Sequence, residues 1–284
     1  MNEVWQVGDV IVTRVVELEV TGGSRFILPD ATREAVRDYR WLHPHFMDDA
    51  GNLVMSIHAL VVDTGERRIV VDTCIGNDKE RAIPAWSNLQ TSFLADLETA
   101  GYPPSTIDTV LCTHLHVDHV GWNTRLVDGE WVPTFPHARY LVGKVEWDYW
   151  SGRDADDPVL ADSVRPVLDA GLVEFVSTDH SLCDEVRLEA TPGHTPGHVS
   201  VRIASGGEEA LITGDCIHHP CQMTRTDWCS SADYDQAQGR DTREALLARL
   251  ADSDVLVIGT HFATPTAGHV RRREGGGYWL DVSA

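Results

Sequence analysis

Three features are scarce in this 284-residue sequence: lysine, long apolar runs and paired cysteines. Lysine occurs only as Lys79 and Lys144, and the formal net charge of −21 repels phosphate backbones and anionic membrane surfaces. No apolar run approaches the ~20 residues that span a bilayer, and no signal-peptide pattern opens the chain. The six cysteines show no C-x-x-C spacing, which indicates reduced thiols. We therefore expect a cytoplasmic protein without a nucleic-acid or membrane partner.

Strand-like and helix-like segments alternate along most of the chain. The runs at 56–65 and 67–74 are rich in Val and Ile and predict a β-hairpin. Further strands are expected at 105–114, 137–143, 172–177, 185–193, 198–205, 209–215 and 255–261, and helices at 88–101, 157–171 and 241–252. Two halves, each with strands and flanking helices, indicate an α/β protein with two sheets packed face to face and helices outside.

The domain organisation follows from the absence of any linker-like stretch in the sequence. We expect residues 1–284 to form a single domain. The segment 20–50 does not follow the alternation of strands and helices. It is expected to be an N-terminal cap or a contact in a homodimer.

Possible metal ligands follow four of the predicted strands, where a rigid scaffold best holds reactive groups. These ligand-type residues are His114, His116, Asp118, His119, His194, Asp215 and His261. The segment CTHLHVDHVGW (112–122) alone places three histidines and an aspartate within six positions, a group that is costly to bury without a metal. Imidazole and carboxylate suit zinc, and iron, manganese and cobalt accept the same ligands. The pattern therefore predicts metal binding.

The order of the motifs resembles that of the metallo-β-lactamase fold superfamily. THLHVDH, TPGHTPGH, TGD and GTH follow one another up to residue 261, and VVDTC at 70–74 matches an early aspartate motif. The resemblance implies an αββα sandwich of two mixed sheets with two metal ions at one edge. It assigns His114, His116 and His194 to one ion, Asp118, His119 and His261 to the other, and Asp215 to both. It also implies that Asp72 orients ligands through hydrogen bonds.

Single positions favour one branch of that superfamily. His116 stands where the di-iron redox branch has Glu, and the bridging carboxylate of Asp215 is one that antibiotic-hydrolysing zinc β-lactamases typically lack. His218 lies three residues after Asp215, where the acyl-homoserine lactonase branch has Tyr and the methyl-parathion-hydrolase-like branch has His. We expect His218 to contact the substrate or an oxyanion, and His219 and His269 are further candidates for this role.

The expected function is hydrolysis of a small apolar ester or lactone by a hydroxide that bridges two divalent ions, most simply zinc. Asp118 or His218 would move the proton. Trp122 lies three residues after a ligand and could line the substrate pocket, with ordinary packing as the competing interpretation. The alternatives are phosphotriester or thioester hydrolysis, an iron-dependent oxygenase or redox protein, and a non-catalytic binding module. The sequence leaves the native substrate, the native metal and the oligomeric state open.

Overall fold

The strands alternate with short helices along the chain. A computed structural model describes residues 2–153 and 157–283. The strands are β1 (Val4–Val7), β2 (Val10–Thr21), β3 (Val54–Asp63), β4 (Arg68–Val71), β5 (Thr109–Cys112), β6 (Thr124–Val127), β7 (Glu130–Pro133), β8 (Arg139–Gly143), β9 (Val173–Val176), β10 (Val186–Ala190), β11 (Val199–Ser205), β12 (Glu208–Ile212), β13 (Leu256–Ile258), β14 (Ala267–Arg272) and β15 (Tyr278–Asp281). The helices are α1 (Arg33–Val36), α2 (Phe93–Thr99), α3 (Lys144–Ser151), α4 (Arg165–Asp169), α5 (Cys221–Thr224) and α6 (Gln236–Leu250).

The chain divides into two compact units, each made of two separate stretches. The first unit comprises Met1–Glu17 and Ile57–Thr178, and the second comprises Leu18–Ser56 and Asp179–Ala284. Among the described residues, none of the helices has the length and apolar character needed to cross a bilayer. The cytoplasmic location expected from the cysteines stays a prediction.

The first main sheet has seven strands in the order β1-β2-β3-β4-β5-β8-β9 and lies chiefly in the first unit. Strands β3 and β4 are antiparallel, whereas β4, β5, β8 and β9 run parallel to one another. All four residues of β5 are buried, as expected for a parallel strand inside a sheet. Carboxyl ends of parallel strands share an edge, so Asp72 after β4 lies near the histidine-rich segment after β5.

The second main sheet has six strands in the order β10 to β15 and lies in the second unit. Its pairs are antiparallel except β12 and β13, which are parallel. The strand β10 leads to His194, β12 leads to Asp215 and β13 leads to His261. Both main sheets are mixed, so the predicted α/β class with two mixed sheets is confirmed.

The irregular segment 20–50 contributes to the core of the second unit. Leu28, Leu42 and Phe46 are buried in one apolar cluster with Leu247 and Phe262. Burial of each large apolar side chain contributes roughly 1.5–3 kcal/mol, so this segment is part of the folded unit. Its role in a homodimer stays a prediction.

Several predicted elements differ from the structure in length. The helix predicted from residue 241 begins at Gln236, after Asp235, whose side chain accepts a hydrogen bond from the Gln238 backbone N–H at 3.0 Å. Its first turns, QAQGR, carry little apolar periodicity that could predict a helix. The helix predicted over 157–171 is divided into a π-helical segment, Leu160–Val164, and α4, with Pro166 in the first turn of α4. The helical run is continuous over 158–169, so Pro166 has no N–H to donate to the Asp162 carbonyl four residues earlier. That carbonyl accepts instead from Lys79 Nζ and Thr124 Oγ1. The β6–β7 hairpin, β14 and β15 were not predicted.

Candidate metal centre

The histidine-rich loop after β5 brings its imidazoles together in the first unit. His114 and His119 are fully buried, and their ring centroids lie 4.0 Å apart. His114 Nε2 lies 3.0 Å from His116 Nδ1. Asp118 Oδ1 lies 3.7 Å from His119 Nε2, and the Asp118 side chain is 13% exposed. The loop therefore gathers three imidazoles and a partly accessible carboxylate, the donor types that zinc prefers.

Asp72 holds this loop from the neighbouring strand. Its buried carboxylate accepts hydrogen bonds from the Thr113 backbone N–H at 2.8 Å and from His119 Nδ1 at 2.9 Å. Because Nδ1 of His119 donates to Asp72, the lone pair of the neutral ring is on Nε2. The hydrogen bonds expected of Asp72 are present, and they point Nε2 of His119 away from the aspartate.

Glu17 on β2 is hydrogen-bonded to two loops of the first unit, the loop after β4 and the loop after β5. Its carboxylate accepts hydrogen bonds from the Ile75 backbone N–H and from Trp122 Nε1, both at 2.7 Å. Burial raises the pKa of Glu17, and the hydrogen bond from Ile75 opposes that shift. Trp122 is 4% exposed and stacks on Phe93 at 5.7 Å between ring centroids. These contacts favour ordinary packing for Trp122 over a role as a pocket wall.

Glu146 on α3 supports the histidine-rich loop from another side. Its Oε1 accepts hydrogen bonds from the Leu115 backbone N–H at 3.1 Å and from Trp150 Nε1 at 2.6 Å. The Trp150 ring lies edge-on to His116 at 5.3 Å. Neither Glu17 nor Glu146 belongs to a sequence motif, so sequence reasoning missed both.

A close backbone approach at Gly121 joins the two loops. A Cβ on Gly121 would lie 1.8 Å from the Ile75 carbonyl oxygen, which no side chain could tolerate. The Gly121 backbone N–H donates to the Cys74 carbonyl at 2.8 Å, and that of Thr73 donates to the His119 carbonyl at 2.7 Å. The glycine after the last histidine of the motif therefore allows the loop that carries Asp72 to reach His119.

In the second unit, the carboxylate of Asp215 lies among three imidazoles. Its Oδ1 is 3.1 Å from His261 Nε2, and its Oδ2 is 3.3 Å from both His194 Nε2 and His218 Nε2. All four side chains are at most 6% exposed. The Asp215 backbone N–H donates to His198 Nε2 at 2.8 Å. His198 therefore contacts the backbone after β12 rather than the Asp215 carboxylate.

The opposite nitrogens of two of these rings have acceptors. His261 Nδ1 lies 2.9 Å from the Ser56 carbonyl oxygen, and His194 Nδ1 lies 2.8 Å from Asp233 Oδ1. In neutral rings these partners hold the proton on Nδ1, so the Nε2 lone pairs point toward the Asp215 carboxylate. Nε2 and the carboxylate oxygen are then both hydrogen-bond acceptors. A divalent cation would satisfy such an arrangement, and the residues fit a metal ion.

His218 is buried without a hydrogen bond to either ring nitrogen from the described part of the chain. Its ring is nearly parallel to that of His261, with an interplanar angle of 11°. His194, His218 and Asp233 each offer one ligand atom within 4.8 Å of the others. A buried imidazole without hydrogen bonds costs free energy, which is consistent with a ligand or substrate group beside it. Its contact with substrate stays a prediction.

The other two candidate histidines have structural partners. His219 Nε2 donates to the Phe46 carbonyl at 2.9 Å, and its Nδ1 accepts from the Cys221 backbone N–H at 3.1 Å. Burial lowers the pKa of His219 to about 4, so the ring is neutral near pH 7. His269 Nδ1 lies 3.1 Å from the Val255 carbonyl oxygen. These contacts favour structural roles for both rings.

The predicted ligands are thus divided between the two units. The first unit gathers His114, His116, Asp118 and His119, and the second gathers His194, Asp215 and His261. That all seven serve one dinuclear centre stays a prediction.

Comparison with known proteins gives a family and several relatives. The family model described as the metallo-beta-lactamase superfamily matches residues 53–261. A probable metallo-hydrolase of Mycobacterium tuberculosis is 24% identical over 244 residues, which are 75% of this chain and 76% of the relative. An N-acyl homoserine lactonase of Bacillus cereus is 25% identical over 166 residues, which are 54% of this chain and 60% of the lactonase.

Solved structures match the whole chain. The hydrolase AbOPH of the beta lactamase superfamily aligns with a TM-score of 0.80 and 23% identity, over 100% of this chain and 98% of its own. AidC, a dizinc quorum-quenching lactonase in complex with its product, aligns with a TM-score of 0.78 and 21% identity over the same shares. At these identities the likeness concerns the fold.

Proposed function

The chain belongs to the metallo-β-lactamase superfamily, and from this membership we propose that it is a dinuclear metal-dependent hydrolase of carboxylic esters or lactones. One observation carries the proposal most directly. Asp215 faces the Nε2 atoms of His194 and His261, while acceptors hold the Nδ1 atoms of the same rings. This arrangement of acceptors calls for a cation.

The proposed ligand set follows the superfamily's motif order. His114, His116 and His194 bind one ion, Asp118, His119 and His261 bind the other, and Asp215 binds both. Zinc is the proposed metal because its preferred ligands are present and because the fold neighbour AidC is a dizinc enzyme. Iron, manganese and cobalt accept the same ligands and are the competing metals.

The proposed chemistry is attack of water on the carbonyl carbon, with cleavage of the bond from that carbon to the ester oxygen. An ester gives a carboxylic acid and an alcohol, and a lactone opens to one hydroxy acid. Divalent ions at these ligands supply Lewis acidity and bring the pKa of water from ~15.7 to ~7. Asp72 keeps His119 in the tautomer that binds through Nε2. Asp118, which is partly exposed, or His218, which lies beside Asp215, transfers the proton to the leaving oxygen.

The proposed substrate is a small neutral ester or lactone. The N-acyl homoserine lactonase of Bacillus cereus and the lactonase AidC support the lactone. The net charge of −21 also favours a neutral substrate over an anionic one. A phosphotriester is the second candidate, because His218 stands where the methyl-parathion-hydrolase-like branch has histidine.

Hydrolysis of a lactone panel by the zinc-loaded protein, followed by proton release, tests the proposal. The panel includes acyl-homoserine lactones of several chain lengths, a phosphotriester and a thioester. We expect saturable lactone turnover that chelation abolishes and zinc restores. Oxygen uptake by iron-loaded protein, without hydrolysis, would favour the oxygenase alternative.

The variant His116→Ala provides the ligand control, and Asp128→Asn, in the exposed turn between β6 and β7, provides the matched control. We expect His116→Ala to lose metal and turnover together, and Asp128→Asn to keep both. Turnover at the wild-type rate with full metal content in His116→Ala would contradict the proposed ligand set.

A further inference from the structure

We propose that Asp233 is a positioning residue for His194, held in place by the segment 230–235 of the second unit. The inference rests on the proposed function, in which His194 binds a metal through Nε2. Asp233 Oδ1 lies 2.8 Å from His194 Nδ1, and the Asp233 side chain is 2% exposed. Its other oxygen, Oδ2, accepts a hydrogen bond from the Ser230 backbone N–H at 2.8 Å. Both oxygens of the carboxylate are therefore fixed.

The same segment also holds the main chain of the ligand loop. The Tyr234 backbone N–H donates to the His194 carbonyl, and the Asp235 N–H donates to the Gly193 carbonyl, both at 2.9 Å. Gly193 adopts a φ of +132°, and a Cβ there would lie 2.3 Å from the Gly239 Cα. The loop that delivers His194 is thus held by main-chain and side-chain contacts at once.

The long helix α6 anchors this segment. The side chain of Asp235 caps its first turn by accepting from the Gln238 backbone N–H at 3.0 Å. Leu246 and Leu247 on α6 are buried in the apolar cluster of the second unit. Because a packed helix is more rigid than a surface loop, Asp233 meets His194 from a fixed position.

A carboxylate on each side of one imidazole determines which nitrogen binds the metal. Asp233 accepts a hydrogen bond from Nδ1, and Asp215 Oδ2 lies 3.3 Å from Nε2. An ionised acceptor on Nδ1 fixes the ring orientation and makes Nε2 a stronger ligand. Asp72 stands in the same relation to His119 in the first unit. Asp72 belongs to a family motif, whereas Asp233 lies in none of the motifs identified in the sequence.

The test compares Asp233→Ala and Asp233→Asn with Asp227→Asn. Asp227 lies in the same loop, is 53% exposed and pairs with Arg225, so it serves as the matched control. Stepwise zinc dissociation constants are measured on metal-free protein by competition with a chromophoric chelator. Thermal unfolding of the metal-free variants and bound zinc per chain are measured alongside.

We expect Asp233→Ala to lower the affinity for one of the two zinc ions by about 10- to 100-fold and to leave the affinity for the other nearly unchanged. Asp233→Asn, whose amide oxygen can still accept from Nδ1, should lower the affinity for the same ion less. Asp227→Asn should have the zinc dissociation constants of wild type. Asn also keeps the shape of the side chain, so it carries the test if Asp233→Ala does not fold.

Unchanged zinc constants in both Asp233 variants, or equal weakening of both ions, would overturn the positioning role while wild type still binds two ions. Wild-type protein that takes up no zinc would instead overturn the proposed function itself.

Discussion

Asp72 accepts a hydrogen bond from His119 Nδ1 and has an unusual backbone conformation. Its φ is +57°, a region that aspartate and asparagine enter more readily than most residues. The variant Asp72→Asn therefore keeps the backbone conformation and removes the negative charge of the group that accepts from His119 Nδ1. We expect zinc affinity to fall by about 10- to 100-fold with the fold retained, as measured by chelator competition and circular dichroism.

Asp128→Asn is the control for that experiment, because Asp128 also has a positive φ, of 51°, but lies in an exposed turn. It should bind zinc as wild type does. Wild-type zinc affinity in Asp72→Asn would show that His119 needs no ionised partner.

Lys79 is fully buried in the first unit and is not one of the proposed metal ligands. Its Nζ donates to Thr124 Oγ1 at 2.8 Å, lies 3.5 Å from Asp162 Oδ1 and sits 3.7 Å from the centre of the Trp131 ring. Burial lowers the pKa of Lys79 from 10.5 to about 8, although the Asp162 carboxylate opposes the shift. The buried site therefore disfavours the charged form.

This shift predicts a pH dependence of stability. Between about pH 8 and 10.5 the unfolded chain keeps the Lys79 proton that the folded chain has lost, so the free energy of unfolding rises with pH. The contribution is at most about 3.5 kcal/mol, because one pKa unit corresponds to ~1.4 kcal/mol. Urea unfolding of wild type and Lys79→Met at several pH values measures it. A stability difference between them that does not change with pH would contradict the shift.

At the scale of elements, the contact between the loops after β4 and β5 depends on Gly121. In Gly121→Ala the new Cβ would meet the Ile75 carbonyl at 1.8 Å, so the two loops must separate. We expect a loss of more than about 3 kcal/mol in the free energy of unfolding, together with weaker zinc binding. Urea unfolding and zinc titration measure the two effects.

Gly129→Ala is the matched control, because Gly129 has a φ of +87° and a Cβ at this position would meet no atom of the described chain, beyond its immediate neighbours, within 4 Å. Its cost should be about 1 kcal/mol, from the backbone conformation alone. Equal losses in the two variants would show that the close approach at Gly121 is not what holds the loops.

The sequence predicted the elements whose signals are local. Apolar runs predicted β5, β10 and β13, and each of these strands leads to a predicted ligand in the structure. The first turns of α6 were missed because most of their residues are polar. The β6–β7 hairpin was missed because its strands are four residues long and only one of their residues is buried. Glu17 and Asp233 could not be predicted from local patterns, because their partners Trp122 and His194 lie 105 and 39 residues away along the chain.

At the scale of the whole molecule, the net charge of −21 acts on every approaching substrate. We expect kcat/KM for a neutral ester to exceed that for an anionic ester of similar shape, because the field lowers the local concentration of anions. The gap should narrow between 0.1 M and 1 M salt, as the screening length falls from ~10 Å to ~3 Å. Steady-state kinetics on the two esters at both salt concentrations measure the effect. A gap that does not change with salt would assign the preference to local contacts instead.

The two interleaved units constrain how genes of this family can recombine. The chain changes unit after residues 17, 56 and 178, so moving either unit intact from one gene to another takes three crossovers. A single crossover inside 57–178 would leave the second unit with Leu28 and Phe46 from one parent and Leu247 and Phe262 from the other. Viable chimaeras should therefore come from parents whose core residues match across that divide, so the two stretches of each unit are inherited as coadapted pairs.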